Sequence, residues 1–291
     1  MPQTETLKTQ EKTPKKFIDI EQVIGNKNPR LLKLLPGFVL NYLKRILHQD
    51  EINDFISRNG HLYDLEFTER IVHEFSKQVN VFGIQNIPAS PHRILISSNH
   101  PLGGLDGVAL IHVAGSVRPD ILFPVNDILM NIINIKNLFI PINKHGSNSQ
   151  NIRIINDTFA SDVSILFFPA GLVSRKQKHG IIKDLEWKKT FISYARKYKR
   201  DIIPTFIDGH NSNFFYNFAC FRKNIGIKQN IEMLYLVNEL YKYKDKTLDI
   251  IFGKPIPYTT FDKRFTDQEW SAKIKEHVYG LKLNHESEFE M

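Results

Sequence analysis

Short β-branched or aromatic runs alternate along this chain with segments of helical periodicity, and that alternation narrows the fold more than any other feature. The runs occupy residues 79–84, 93–97, 121–125, 138–142, 163–168, 201–207 and 247–252, and helical patterns at 107–114, 148–160, 187–199 and 231–242 lie between several of them. Apolar strands separated by helices of this length indicate an α/β fold with a mainly parallel central sheet flanked by helices. Further helices are expected at 67–78 and 267–281. In such a sheet, loops at the carboxyl ends of strands carry the chemistry. Four of them are unusually polar or glycine-bearing, at 99–107, 143–149, 169–180 and 208–213, which suggests one shared cleft.

The N-terminal part differs in character. Residues 1–30 are polar, Lys-rich and weakly periodic, and are expected to form a mobile tail. Over 31–48, Val39, Leu40, Leu43, Ile46 and Leu47 recur at helical spacing beside Lys44, Arg45 and His48, with Pro36-Gly37 placed to break or start the helix. Such a helix either rests on anionic headgroups or packs its apolar stripe on the main domain. The organisation that follows is a tail (1–30), N-terminal helices (31–78), an α/β domain (79–260) and a C-terminal helix with its tail (261–291).

Composition removes several function classes. No charge-free apolar run approaches the ~20 residues that span a bilayer. The first 16 residues are polar and include Glu5, unlike a secretory signal. Lys and Arg exceed Asp and Glu by 39 − 31 = 8, which favours an anionic partner: nucleic acid, an acidic membrane surface or a phosphorylated substrate. The single cysteine, Cys220, sits in an apolar setting and rules out an internal disulfide or a cysteine metal cluster. No His, Asp and Glu spacing indicates a metal site. No nucleic-acid-binding motif is recognisable either, although Phe214, Phe215 and Tyr216 stand together.

One segment carries chemistry. The buried strand over 93–98 runs directly into Asn99-His100-Pro101-Leu102-Gly103-Gly104-Leu105-Asp106-Gly107. Pro101 disfavours the α-region for His100, and Gly103 and Gly104 permit dihedrals that other residues resist. The result is a compact loop that can return Asp106 to the ring of His100. A neutral imidazole bonded to a carboxylate has a fixed tautomer and raised basicity, as a general base requires. The alternative is a tight strand-to-helix turn with Asp106 serving only as a cap.

Further blocks follow in order: Phe139-Ile-Pro-Ile-Asn-Lys144, then Phe168-Pro-Ala-Gly171-Leu-Val-Ser174-Arg175-Lys176, then Ile202-Ile-Pro204. Together with Asn99-His100 and Asp106, this series resembles the glycerolipid (lysophospholipid) acyltransferase superfamily, over residues 79–257. The first block usually has four residues between His and Asp. This chain has five, in the Asn-His-Pro-x-Gly-Gly-x-Asp-Gly form of a bacterial branch called hemolysin-like or aminolipid acyltransferases. The usual third block, Phe-Pro-Glu-Gly-Thr-Arg-Ser, has Ala170 here in place of its glutamate, and Lys144 stands where the second block has arginine. A lysine supplies a point charge without the guanidinium fork, and both departures lean away from a glycerol phosphate acceptor.

The resemblance implies that His100 and Asp106 are catalytic and that Asn99, Gly103, Gly104, Lys144, Gly171, Ser174 and Arg175 contact substrate. It also implies transfer of a fatty acyl group from acyl carrier protein or coenzyme A thioester, as co-substrate, to a hydroxyl of a lysolipid acceptor. That acceptor is either lysophosphatidic-acid-like or an acylated amino acid. No bound cofactor and no metal are implied, and a backbone N–H at Gly103, Gly104 or Gly171 is expected to meet the oxyanion. The implied place is peripheral, on an anionic membrane surface at the cytoplasmic face of the inner membrane. A basic nucleic-acid-binding protein and a non-catalytic lipid-binding relative are the competing readings.

Overall fold

The computed structural model describes residues 17–125, 130, 132–141 and 148–290, with backbone alone for 148–151. The chain divides into two units, Met1–Arg58 and Asn59–Met291.

The first unit contains helices α1 (Ile20–Lys27), α2 (Pro29–Leu34), α3 (Gly37–Ile46) and most of α4 (Gln49–Asn59). Asp19 and Asn28 cap α1 and α2 by accepting the N–H groups of Gln22 and Leu31, so helix begins well inside the stretch expected as a tail. The helical stretch expected over 31–48, with Pro36-Gly37 placed to break or start the helix, is divided at that point into α2 and α3. Pro36, at φ −61° and ψ 148°, cannot extend α2 and instead starts α3. Within the unit, Gln49 accepts the N–H of Ile20, and the Asn53 amide bonds both backbone groups of Ile18.

The second unit opens with α5 (Asp64–Phe75), which sequence grouped with the N-terminal helices. It belongs here because Phe67, Thr68, Val72 and Phe75 are buried. Strand β1 (Gln78–Phe82) follows, then β2 (Ile94–Ser98), α6 (Leu105–Gly115), β3 (Phe123–Val125), β4 (Phe139–Pro141), α7 (Asn148–Ala160) and β5 (Ile165–Phe167). A small hairpin, β6 (Arg175–Lys176) and β7 (Ile182–Lys183), leads to α8 (Thr190–Tyr198) and β8 (Asp201–Asp208). Next come α9 (Asn213–Asn224), α10 (Leu236–Tyr241), β9 (Thr247–Phe252) and α11 (Asp267–Gly280). The main sheet has the order β1-β9-β8-β2-β5. All its neighbours are parallel except β8 and β9, so the expected mainly parallel α/β sheet is present. Leu122 bridges Ile165 in parallel and extends the sheet toward the β3-β4 pair.

Central strands of such a sheet are covered on both faces, which explains why β2 is apolar or small throughout and buried at every residue. Pro204 lies within β8, where a central strand seldom tolerates proline. Its missing N–H falls between the β9 ladder, which starts at Thr205, and a bridge from Ile202 to Ile256. One layer of the core joins α8 and α11 to the sheet through Trp187, Phe191, Ile202, Trp270 and Ile274. Helix α6 is buried almost all round, as its uniformly apolar sequence requires. Arg200, fully buried, donates to five carbonyls, those of Ile94, Thr158, Phe159, Ser161 and Val163. It thereby satisfies the orphan end of α7 and ties it to β2. Among the described residues no helix is long and apolar enough to cross a membrane.

Candidate active site

The carboxyl ends of β2, β5 and β8 meet at the loop that follows β2. Asn99 sits at the junction, buried, with its Nδ2 donating to the Ile207 carbonyl at 2.9 Å and its Oδ1 accepting the Ile207 N–H at 2.7 Å. Both halves of the amide are thus used to hold β2 to β8. Asn99 was expected to contact substrate; the structure gives it the role of a staple. Asn211, from the loop after β8, donates to the carbonyls of Pro101 and Leu102. Ser174, from the loop after β5, donates its N–H to the His100 carbonyl at 2.8 Å. Three of the four loops expected to share a cleft therefore converge. The fourth, at 143–149, lies mostly outside the described residues, and Lys144 with it.

His100 Nδ1 lies 2.9 Å from Asp106 Oδ2. The loop achieves this through Gly103, whose φ of +88° turns the chain so that α6 starts at Leu105 and Asp106 falls in its first turn. Asp106 is fully buried and also accepts the N–H groups of Leu102, Gly103 and Gly107. Burial opposes its ionisation. The His100 charge, the His100 hydrogen bond and the backbone donors outweigh that, and hold the carboxyl below its usual range. A carboxylate at Nδ1 fixes that nitrogen as the donor and leaves the Nε2 lone pair free. Nε2 has no hydrogen-bond partner among the described residues. Burial likewise opposes the charged form of His100, but Asp106 and Asp184 prevail and the imidazole pKa is raised.

The ring itself is clamped. Phe168 stacks on it at 4.1 Å between centroids with a 16° tilt, and Phe123 meets Phe168 edge-on at 5.4 Å. Asp184 accepts the His100 backbone N–H at 3.2 Å on each oxygen, the Ser174 hydroxyl at 2.5 Å and the Trp187 indole N–H at 2.9 Å. The Asp184 N–H in turn donates to the Tyr279 hydroxyl. Sequence reasoning passed over Asp184, Trp187 and Tyr279, because an Asp within Lys-Asp-Leu-Glu-Trp looks like any surface carboxylate.

The remaining expected site residues have distinct places. Ser174 is buried, with its hydroxyl engaged by Asp184 rather than open to a ligand. Gly171 occupies an exposed turn at φ +64°, and its N–H donates to the Phe168 carbonyl. Gly103 N–H is taken by Asp106. Neither of these two can therefore meet an oxyanion, as had been expected of either. Gly104, which caps α6, has an N–H without a partner among the described residues. Arg175 is largely buried, with Nη1 on the carbonyls of Val173 and Ser174 and Nη2 on Glu232 at 2.9 Å. Both of its Nη groups are thus engaged within the protein.

A family model described as acyltransferase matches residues 22–287, and the chain belongs to that family. The expected kinship with the glycerolipid acyltransferase superfamily holds. A lyso-glycine lipid O-acyltransferase of Bacteroides thetaiotaomicron is 44% identical over 267 residues, covering 91% of this chain and 97% of that protein. A lyso-glycine lipid O-acyltransferase of Phocaeicola vulgatus is also 44% identical, covering 91% of this chain and 95% of its own. The crystal structure of the 1-acyl-sn-glycerophosphate acyltransferase PlsC from Thermotoga maritima shares the fold, with a TM-score of 0.50 at 15% identity. The likeness covers 83% of this chain and 95% of that one.

Proposed function

We propose that this acyltransferase O-acylates a lyso-glycine lipid, drawing the acyl group from a thioester of acyl carrier protein or coenzyme A. The observation that carries the acceptor is the 44% identity, over nearly the full length of both chains, to two lyso-glycine lipid O-acyltransferases. Two local features agree with it. Ala170 removes the carboxylate usual in the third block, and Glu232 already engages Arg175, so this loop is poorly equipped for the double charge of a glycerol phosphate.

In the chemistry we assign, neutral His100 takes the acceptor hydroxyl proton at Nε2 as that oxygen attacks the thioester carbonyl. Asp106 stays ionised, keeps the Nδ1 tautomer and stabilises the imidazolium. The tetrahedral intermediate develops negative charge on its carbonyl oxygen, and we assign its stabilisation to the Gly104 N–H and the positive end of α6. Collapse expels the thiolate, and the imidazolium returns the proton to sulfur. No acyl-enzyme is required.

Because the acceptor is a lipid, the proposal includes docking on an anionic membrane surface by the first unit. Leu34 is 78% exposed and Phe38 75%, on either side of the Pro36 break, with Lys27, Arg30 and Lys33 exposed nearby. Incubating purified protein with lyso-glycine lipid and either thioester, then weighing the product by mass spectrometry, tests the reading. A diacylated glycine lipid is expected, together with its loss in His100→Ala. Acylation of lysophosphatidic acid alone would overturn it.

A further inference from the structure

Glu232 has no exposed surface and stands between two guanidinium groups. Its Oε1 accepts from Arg175 Nη2 at 2.9 Å, and its Oε2 is 2.7 Å from Arg222 Nε. The two arginines are not equivalent. Arg222 closes the end of α9, with Nη1 on the Ile227 carbonyl at 2.6 Å and Nη2 on Asn230 at 2.9 Å. Arg175 belongs to the loop whose preceding residue, Ser174, is bonded to the His100 carbonyl. Its guanidinium lies over the Phe215 ring, 5.5 Å from the centroid, and 11% of its side chain remains exposed. The charge of Arg175 is felt at His100, where it opposes protonation. Arg175 is therefore a cation on the loop tied to His100: Nη1 is on backbone carbonyls, Glu232 holds Nη2, and Nε has no partner among the described residues.

Charge counting gives the consequence. Two guanidiniums and one carboxylate leave a single net positive charge in the cluster. A glycine acylated on nitrogen keeps one carboxylate, so a lyso-glycine lipid presents one negative charge. A phosphate monoester carries ~1.5 to 2 negative charges at neutral pH. Brought to Arg175, it would place its second charge against Glu232 with no further cation in the cluster to meet it.

We propose that Glu232 sets acceptor specificity as a positioning residue, holding one edge of the Arg175 fork so that the site takes a carboxylate-bearing lysolipid and rejects a phosphate-bearing one. The inference rests on the lyso-glycine lipid reading and names the element that enforces it.

The test compares kcat/KM for lysophosphatidic acid and for lyso-glycine lipid on the same protein preparation, so that any loss of folded enzyme cancels in the ratio. Glu232→Gln should raise the ratio of phosphate to glycine acceptor about tenfold or more over wild type. Glu232→Asp, which keeps the charge, should leave the ratio near wild type, and adding Arg175→Gln to E232Q should abolish the gain. If E232Q does not fold, Glu232→Gln with Arg222→Gln removes the repelling carboxylate while returning the cluster to one positive charge, and should raise the ratio by more than about twofold but by less than about tenfold. A folded variant with glutamine at 232 whose ratio stays within about twofold of wild type overturns the role of Glu232. So does a gain that survives loss of Arg175. Wild-type preference for lysophosphatidic acid would overturn the acceptor reading itself, and the specificity role with it.

Discussion

Asp184 holds the backbone N–H of His100 across 84 residues of sequence, with both carboxylate oxygens 3.2 Å from the nitrogen. The same two oxygens accept from the Ser174 hydroxyl and the Trp187 indole, so every direction around the carboxylate is filled by a donor. Replacing Asp184 by asparagine turns one acceptor into a donor facing another donor. Burial raises the Asp184 pKa against the lowering effect of these hydrogen bonds. Asp184→Asn is expected to cost about 1–3 kcal/mol of stability, since a buried donor is left unpaired. It should also lower kcat by loosening the His100 loop. Urea denaturation read beside kcat decides it; wild-type values for both would remove Asp184 from the site.

The His100–Asp106 pair predicts a pH profile. A general base works when neutral, so kcat/KM should rise with pH and level off above a value higher than the ordinary histidine 6.5, because the folded pKa is raised. Asp106→Asn removes the charge and hydrogen bond that oppose burial. The midpoint should then fall below 6.5 as burial takes over, with a rate loss of about 10²- to 10⁴-fold. The two groups titrate as a pair, and the observed midpoint belongs to both. A midpoint unmoved by D106N would separate the two residues. The Asp106 contribution to stability has the opposite sense. Its folded pKa is depressed, so the contribution is present above the ordinary carboxylate range and lost as pH falls through the lower folded value.

Much of this geometry was legible in the residues, and the part that was not has a physical cause. Strand β9 has the bounds of the run read from the residues, Thr247 and Phe252, because Leu248, Ile250, Ile251 and Phe252 are its buried positions and record it in the sequence. The turn that returns Asp106 to His100 follows from Pro101 and Gly103, a local matter of backbone preference. Helix α9 was missed: Phe214, Phe215, Tyr216, Phe218 and Phe221 look like core or strand, since aromatics are poor helix formers. Ser212, whose hydroxyl accepts the Phe215 N–H as the N-cap, is the residue signal that could have found it. Helix α4 was missed as well, its apolar positions being too few to show a period. Asp184 and Glu232 were out of reach for a different reason. The partners that tie them to the site, His100 and Arg175, lie 84 and 57 residues away, and only the folded chain brings them together.

Gly103 has the most restricted backbone in the His100 loop. At φ +88° an added Cβ would lie 2.5 Å from Val173 Cγ2 and 2.8 Å from Leu236 Cδ1. Gly103→Ala therefore combines an unfavourable dihedral with overpacking, each costing about 1–3 kcal/mol. The thermal midpoint should fall, and the residual folded enzyme should lose rate because Asp106 accepts the Gly103 N–H. Gly104→Ala provides the contrast, since an added Cβ there meets nothing within 4 Å and φ is −150°. Equal midpoints for the two variants would contradict this account.

The proposed docking of the first unit on lipid rests on Leu34 and Phe38. Burying a side chain of this size contributes about 1.5–3 kcal/mol. Leu34→Ser with Phe38→Ser should therefore lower partitioning into anionic vesicles by about tenfold or more, while the melting temperature changes little because both residues are exposed in the folded protein. The basic residues add a charge contribution that falls with salt, since exposed charges are screened beyond ~8 Å at physiological ionic strength. Co-sedimentation with vesicles of neutral and anionic composition separates the two contributions. The serine pair should weaken binding to both compositions, whereas raised salt should weaken binding to the anionic vesicles alone. Binding unchanged by the serine pair would move the membrane contact away from the α2–α3 corner.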